Sequence, residues 1–82
     1  MRNHSKIIEQ LKNETEKWTK RIEKKLEEIK RENNKEKEEI IRNIEAYIED
    51  SKYFHNKGDL VKAFEAIIWA WALFEINFKI EE

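Results

Sequence analysis

One glycine and no proline in 82 residues is the feature that most restricts this chain. A sheet needs turns, and turns recruit residues that accept positive φ or a fixed φ, so a chain without them folds from helices joined by very few breaks. The punctuation here is nearly confined to Asn33-Asn34 and to Asn56-Lys57-Gly58-Asp59. Two breaks give three segments, which read as helices over residues 5–32, 35–57 and 60–80. A length of 82 residues supports one domain with a single core. The expected fold is therefore all-α, a three-helix antiparallel up-and-down bundle spanning residues 1–82.

Hydrophobic periodicity supports each segment. Ile8, Leu11, Thr15, Trp18, Ile22, Leu26 and Ile29 recur every three or four residues and share one helical face, with Ser5 as a candidate N-cap. In the second segment Ile40, Ile41, Ile44, Tyr47, Ile48, Ser51 and Phe54 form a similar stripe. An uninterrupted helix through Asn33-Asn34 would leave that stripe without a partner in the first segment, so the chain is expected to fold back there. The Lys/Glu-rich stretch from Glu23 to Glu39 reads as the solvated side of these helices. Gly58 reads as a left-handed helix stop and Asp59 as the N-cap of the third helix.

The third segment carries apolar residues on two sides. Leu60, Phe64, Ile67, Ile68, Trp71, Phe74 and Phe78 make one broad stripe, and Trp69, Leu73, Ile76 and Ile80 make another nearly opposite it. A closed bundle covers the first stripe only. The second, together with Ile7 and Ile8 at an overhanging start of helix one, is the expected interaction surface, covered by a second copy in a dimer or by another protein. Counting residues from the Asn33-Asn34 turn brings Trp18 level with Glu49 and with Ala66 to Ile68, where its ring is expected to fill the space beside Ser51.

Other functions find little in the sequence. The chain has no cysteine, which removes disulfides, thiolate nucleophiles and cysteine-ligated zinc together. A single glycine excludes a phosphate-binding glycine-rich loop. No Glu-x-x-His pair offers a carboxylate-bridged metal site, Ser51 has no adjacent base, and His55 with Lys57 most simply complements the negative end of helix two. The expectation is a protein that is not an enzyme, with no cofactor and no metal. Net charge is −1, divided as +3, −1 and −3 over residues 1–34, 35–58 and 59–82. That gradient reads as attraction between segments rather than a nucleic-acid face, which would be strongly basic. The competing reading is an RNA-associated accessory protein using Lys17, Lys20, Arg21, Lys24 and Lys25. Glu65 and Glu75 fall in the most apolar helix and are expected to reach solvent near Lys62 and Lys79. The apolar run from Ala63 to Ile76 is too short to span a membrane, and the opening residues lack the apolar core of a secretory signal, so a cytoplasmic protein is expected.

The block from Tyr47 to Glu75 resembles the archaeal family called domain of unknown function 357. Asp50, Tyr53-Phe54, Gly58-Asp59, Ala63-Phe64-Glu65-Ala66, Ala70 and the acidic Glu75 carry the resemblance, over a little more than a third of the chain. The sequence departs from the pattern at Ala72, where glycine is common, and at Glu75, where aspartate is common. The resemblance implies a small three-helix up-and-down bundle and attaches no biochemical activity to it. One helix-turn-helix of a tetratricopeptide repeat is also similar, but no 34-residue recurrence accompanies it.

Overall fold

A computed structural model describes the backbone of residues 2–32 and 35–78, with side chains from residue 6 onward. Helix α1 runs Arg2–Arg31, a 3-10 turn covers Lys35–Lys37, α2 runs Glu38–Asn56 and α3 runs Leu60–Asn77. The three helices form the expected bundle. Ser5 lies inside α1 rather than capping it, because the helix already begins at Arg2. Asn33-Asn34 falls outside the described residues, as does Ile80.

The α2–α3 hairpin follows from its sequence. Gly58 sits at φ 82°. Its N–H donates to the His55 carbonyl at 3.1 Å and the Asp59 N–H donates to the Phe54 carbonyl at 2.9 Å, the paired bonds of a Schellman motif. The Asp59 carboxylate then accepts from the Lys62 N–H at 3.2 Å and caps α3. Further along, the Ser51 hydroxyl, 1% exposed, donates to the Ala63 carbonyl at 2.7 Å. Small side chains at Ser51 and Ala63 bring the two helices close enough for that bond. At the other end Lys37 donates to the Asn77 carbonyl at 2.6 Å and lies 5.3 Å from the Phe78 ring, placing a cation at the negative end of α3.

Helix α1 joins differently. Its backbone packs on α3, whereas long side chains bridge it to α2: Lys30 to Glu45, Glu23 to Lys52 at 2.6 Å, and Glu16 to His55 at 3.5 Å. The order of these pairs shows α1 and α2 antiparallel. They also set a register that differs from the expected one. Glu16 stands opposite the last turn of α2, whereas Trp18 is held against α3. Its ring instead meets Trp71 edge-on, with centroids 5.6 Å apart, and the Trp71 indole N–H donates to the Trp18 carbonyl at 3.1 Å. Aromatic contacts continue from Trp71 to Phe74 and Phe78.

The core holds Ile22, Leu26 and Ile29 of α1, Ile41, Ile44 and Ile48 of α2, and Ile67, Ala70 and Phe74 of α3. From Leu11 onward the stripes read for α1 and α2 face inward as expected, with Leu11, Trp18, Ile40, Tyr47 and Phe54 half-buried and the rest buried. At 1.5 Å per residue α1 is about 45 Å long and α2 about 28 Å. With Glu16 level with the end of α2, the first turns of α1 project past the hairpin, and the longest dimension of the molecule is 49 Å.

Candidate interaction surface

Helix α3 is apolar all the way round, so its packing decides which residues become surface. Ala63, Ala66, Ile67, Ala70 and Phe74 face the core. At 100° per residue these span about 240° to 340° counted from Leu60. Nearly opposite, Ile68, Val61, Ala72, Glu65, Ile76 and Trp69 occupy a sector of roughly 100°. Four of them are large, apolar and open to solvent: Val61 at 60% exposure, Ile68 at 47%, Trp69 at 60% and Ile76 at 78%. They share one outward face, with Glu65 and Ala72 between them.

The strip overlaps the surface expected from the sequence and displaces part of it. Trp69 and Ile76 are exposed as expected. Leu73 is not part of the strip, because it lies near the edge of the buried sector and packs partly against the core. Ile68, expected in the core stripe, is outside it. Val61 and Ile68 are therefore the residues that sequence reasoning missed on this face. Their signal was the spacing of 61, 65, 68, 72 and 76, a helical seam on the side of α3 that the alanines leave outward. Ile7 and Ile8, 61% and 40% exposed, stand on the projecting start of α1, as expected of the overhang.

Charges frame the strip. Glu65 lies within it and Glu75 at its edge, both exposed. Lys62 turns to its own cap residue, its Nζ 3.9 Å from the Asp59 carboxylate and 5.5 Å from the Phe54 ring, instead of pairing with Glu65. Lys79 lies outside the described residues.

A groove of about 300 Å³ opens between α1 and α2, lined by Thr15, Glu16, Thr19, Lys20, Ser51, Lys52 and His55 among others. His55 Nε2 is shielded from solvent there and makes no hydrogen bond within the described residues. The Glu16 carboxylate, 3.5 Å away, pairs with it only when the imidazole is protonated. Beside them, the hydrogen bond from Lys52 to Glu23 raises the lysine's pKa above its ordinary value; burial opposes the shift, and the charges of Glu23 and Glu49 add to it. Among the described residues no three His, Asp or Glu side chains converge as a metal site requires. Of the basic residues on α1, Lys17 pairs with Glu14 at 3.3 Å and the Arg21 guanidinium lies 4.8 Å from the Trp18 ring. No described helix is long and apolar enough to cross a membrane.

Residues 17–80 match the model of a family described as a protein of unknown function, DUF357. The crystal structure of protein AF1782 from Archaeoglobus fulgidus, which bears the same family model, is similar at 45% sequence identity, with a TM-score of 0.72 over 89% of this chain and 90% of that one. Comparison with curated proteins finds no match.

Proposed function

Because the chain belongs to the DUF357 family, whose description assigns no activity, we propose its function from its own surface: a non-catalytic helical module that acts by protein–protein contact through the outer strip of α3. The observation that carries this reading is the exposure of Val61, Ile68, Trp69 and Ile76 on one face of one helix. Single exposed apolar residues are ordinary on a soluble protein, but a contiguous strip holding a tryptophan is the composition of an interface centre. The first occupant to expect is a second copy, since closed two-fold dimers are the commonest assemblies.

Sedimentation of the full chain over a wide concentration range tests the proposal. The wild type is expected to self-associate and a Trp69→Glu, Ile76→Lys double variant to remain monomeric with the same helical signal. Both residues are largely exposed, so neither change empties the core. A wild type that stays monomeric at high micromolar concentration refutes self-association.

A further inference from the structure

We propose that the outer strip of α3 is built to pair with itself in an antiparallel arrangement, about a two-fold axis passing midway between Ile68 and Trp69. This rests on the proposed self-association and specifies its geometry. The strip residues occur in symmetric order: Ile68 and Trp69 flank the midpoint, Glu65 and Ala72 lie at equal distances beyond them, and Val61 and Ile76 at equal distances beyond those. All six fall in the outward sector described above. In an antiparallel pair each residue comes level with its counterpart, so near the centre line Val61 packs beside Ile76 of the second copy and Glu65 beside Ala72, while Ile68 and Trp69, on opposite flanks of the strip, each approach their own copy across the axis.

Each of these pairings is chemically suitable. Two apolar pairs bracket the arrangement at its ends and the bulkiest side chain lies near its centre, where water is best excluded. The one acidic residue within the strip faces its smallest, whose single methyl leaves room for the glutamate stem to lie across it and carry its carboxylate to the rim. The two Glu65 carboxylates belong to positions seven residues apart along the paired helices, about 10 Å of axial distance, which is roughly one Debye length at 0.1 M salt. A parallel pair would instead set Glu65 directly against Glu65, near the centre line of the strip.

The available area also fits a second copy. The exposures of the four apolar residues, applied to side chains of ordinary size, give roughly 450 Å² of apolar surface per copy, more than half of the ~800 Å² per partner in a standard stable interface. The stems of Lys62, Glu65 and Glu75 border that strip and extend the contact. A net charge of only −1 per chain leaves little overall repulsion between copies.

The absence of native cysteine makes the geometry directly readable. Glu65→Cys and Ala72→Cys are made as separate single variants, mixed, and oxidised at a concentration where sedimentation shows the wild type associated. The expected product is the mixed disulfide dimer joining one copy of each variant, with little disulfide dimer from the Ala72→Cys variant alone. A predominant disulfide homodimer of the Ala72→Cys variant overturns the antiparallel arrangement in favour of a parallel one. Self-association that persists in both variants without any disulfide overturns it as well, since both positions lie in the strip. In either case sedimentation still reports self-association, so the geometry fails while the proposed function stands. A wild type that never associates removes both.

Discussion

The meeting of Trp18 with Trp71 ties α1 to the middle of α3, and its strength can be worked out. Trp18 is half-buried and packed against the core, so something on the order of 150 Å² of ring surface is withdrawn from water. At about 25 cal/mol per Å² that is close to 4 kcal/mol, an upper bound because the unfolded chain already shields part of it. The edge-to-face geometry with Trp71 adds about 0.5 to 1.5 kcal/mol. Trp18→Ala is therefore expected to cost about 3 kcal/mol and to lower the melting temperature by roughly 12 to 24 °C in a domain of this size. A double-mutant cycle with Trp71→Leu isolates the ring pair. The Trp71 indole donates to the backbone carbonyl of Trp18, which Trp18→Ala leaves in place, so that bond cancels in the cycle. Urea denaturation of the four proteins should give a coupling of about 1 kcal/mol. A Trp18→Ala cost below about 1 kcal/mol, or no coupling with Trp71, would mean that the register of α1 on α3 differs from the one described.

Three further expectations follow from the hairpin and the bridges. Gly58→Ala should cost about 1 to 2 kcal/mol by urea denaturation, all of it from the left-handed backbone, since an added Cβ would meet nothing within 4 Å; a neutral result would refute the Schellman geometry. Ser51→Ala should cost about 1 kcal/mol through loss of the bond to Ala63, whereas Ser51→Leu should cost about 1 to 3 kcal/mol by overpacking; a Leu variant as stable as wild type would place Ser51 outside the α2–α3 contact. The raised pKa of Lys52 means that its bridge to Glu23 contributes fully below the unfolded lysine value of about 10.4 and loses its contribution as pH rises through the folded value above that. Because both side chains are nearly half exposed the contribution is below about 1 kcal/mol, so Lys52→Met should melt slightly below wild type from pH 6 to 9 with the gap closing above about pH 10.5; a gap that widens there would refute the assignment.

Helix count, hairpin and the α1 and α2 faces were legible because each rests on local chemistry. Gly58 and Asp59 announce a helix stop and a cap through φ and a carboxylate, whatever surrounds them. The register of α1 on α2 was not legible, because it depends on how many residues the first connection consumes. Counting from Asn33-Asn34 treats Lys35 onward as α2, but Lys35–Lys37 form a 3-10 turn with a rise of about 2 Å per residue, and α2 starts at Glu38. A few residues of connection are enough to slide α1 along α2 by about a turn.

The rotation of α3 was obscured for a different reason, and it is the reason the candidate surface came out displaced. A reading that ranks residues by hydrophobicity seats the largest side chains in the core, which puts Phe64, Ile68 and Trp71 in the buried stripe. The helix instead turns Ala63, Ala66 and Ala70 inward with Ile67 and Phe74. Close helix approach favours small residues at the contact line, because the packing gained by neighbouring large side chains along the flanks exceeds what one bulky residue would gain by holding the helices apart. Trp71 and Phe64 accordingly pack at the edges of the core, and the face behind the alanines, with Val61, Ile68, Trp69 and Ile76, is turned to solvent. The alanines that draw α1 and α2 onto one side of α3 thus also determine which apolar residues a second molecule would meet on the other. A substitution that rotates α3 should move that surface with it. Ala66→Leu tests the linkage: overpacking the contact line should both destabilise the bundle by about 1 to 3 kcal/mol and weaken self-association at concentrations where the chain remains folded. Unchanged association in a destabilised variant would show that the strip binds independently of how α3 is seated.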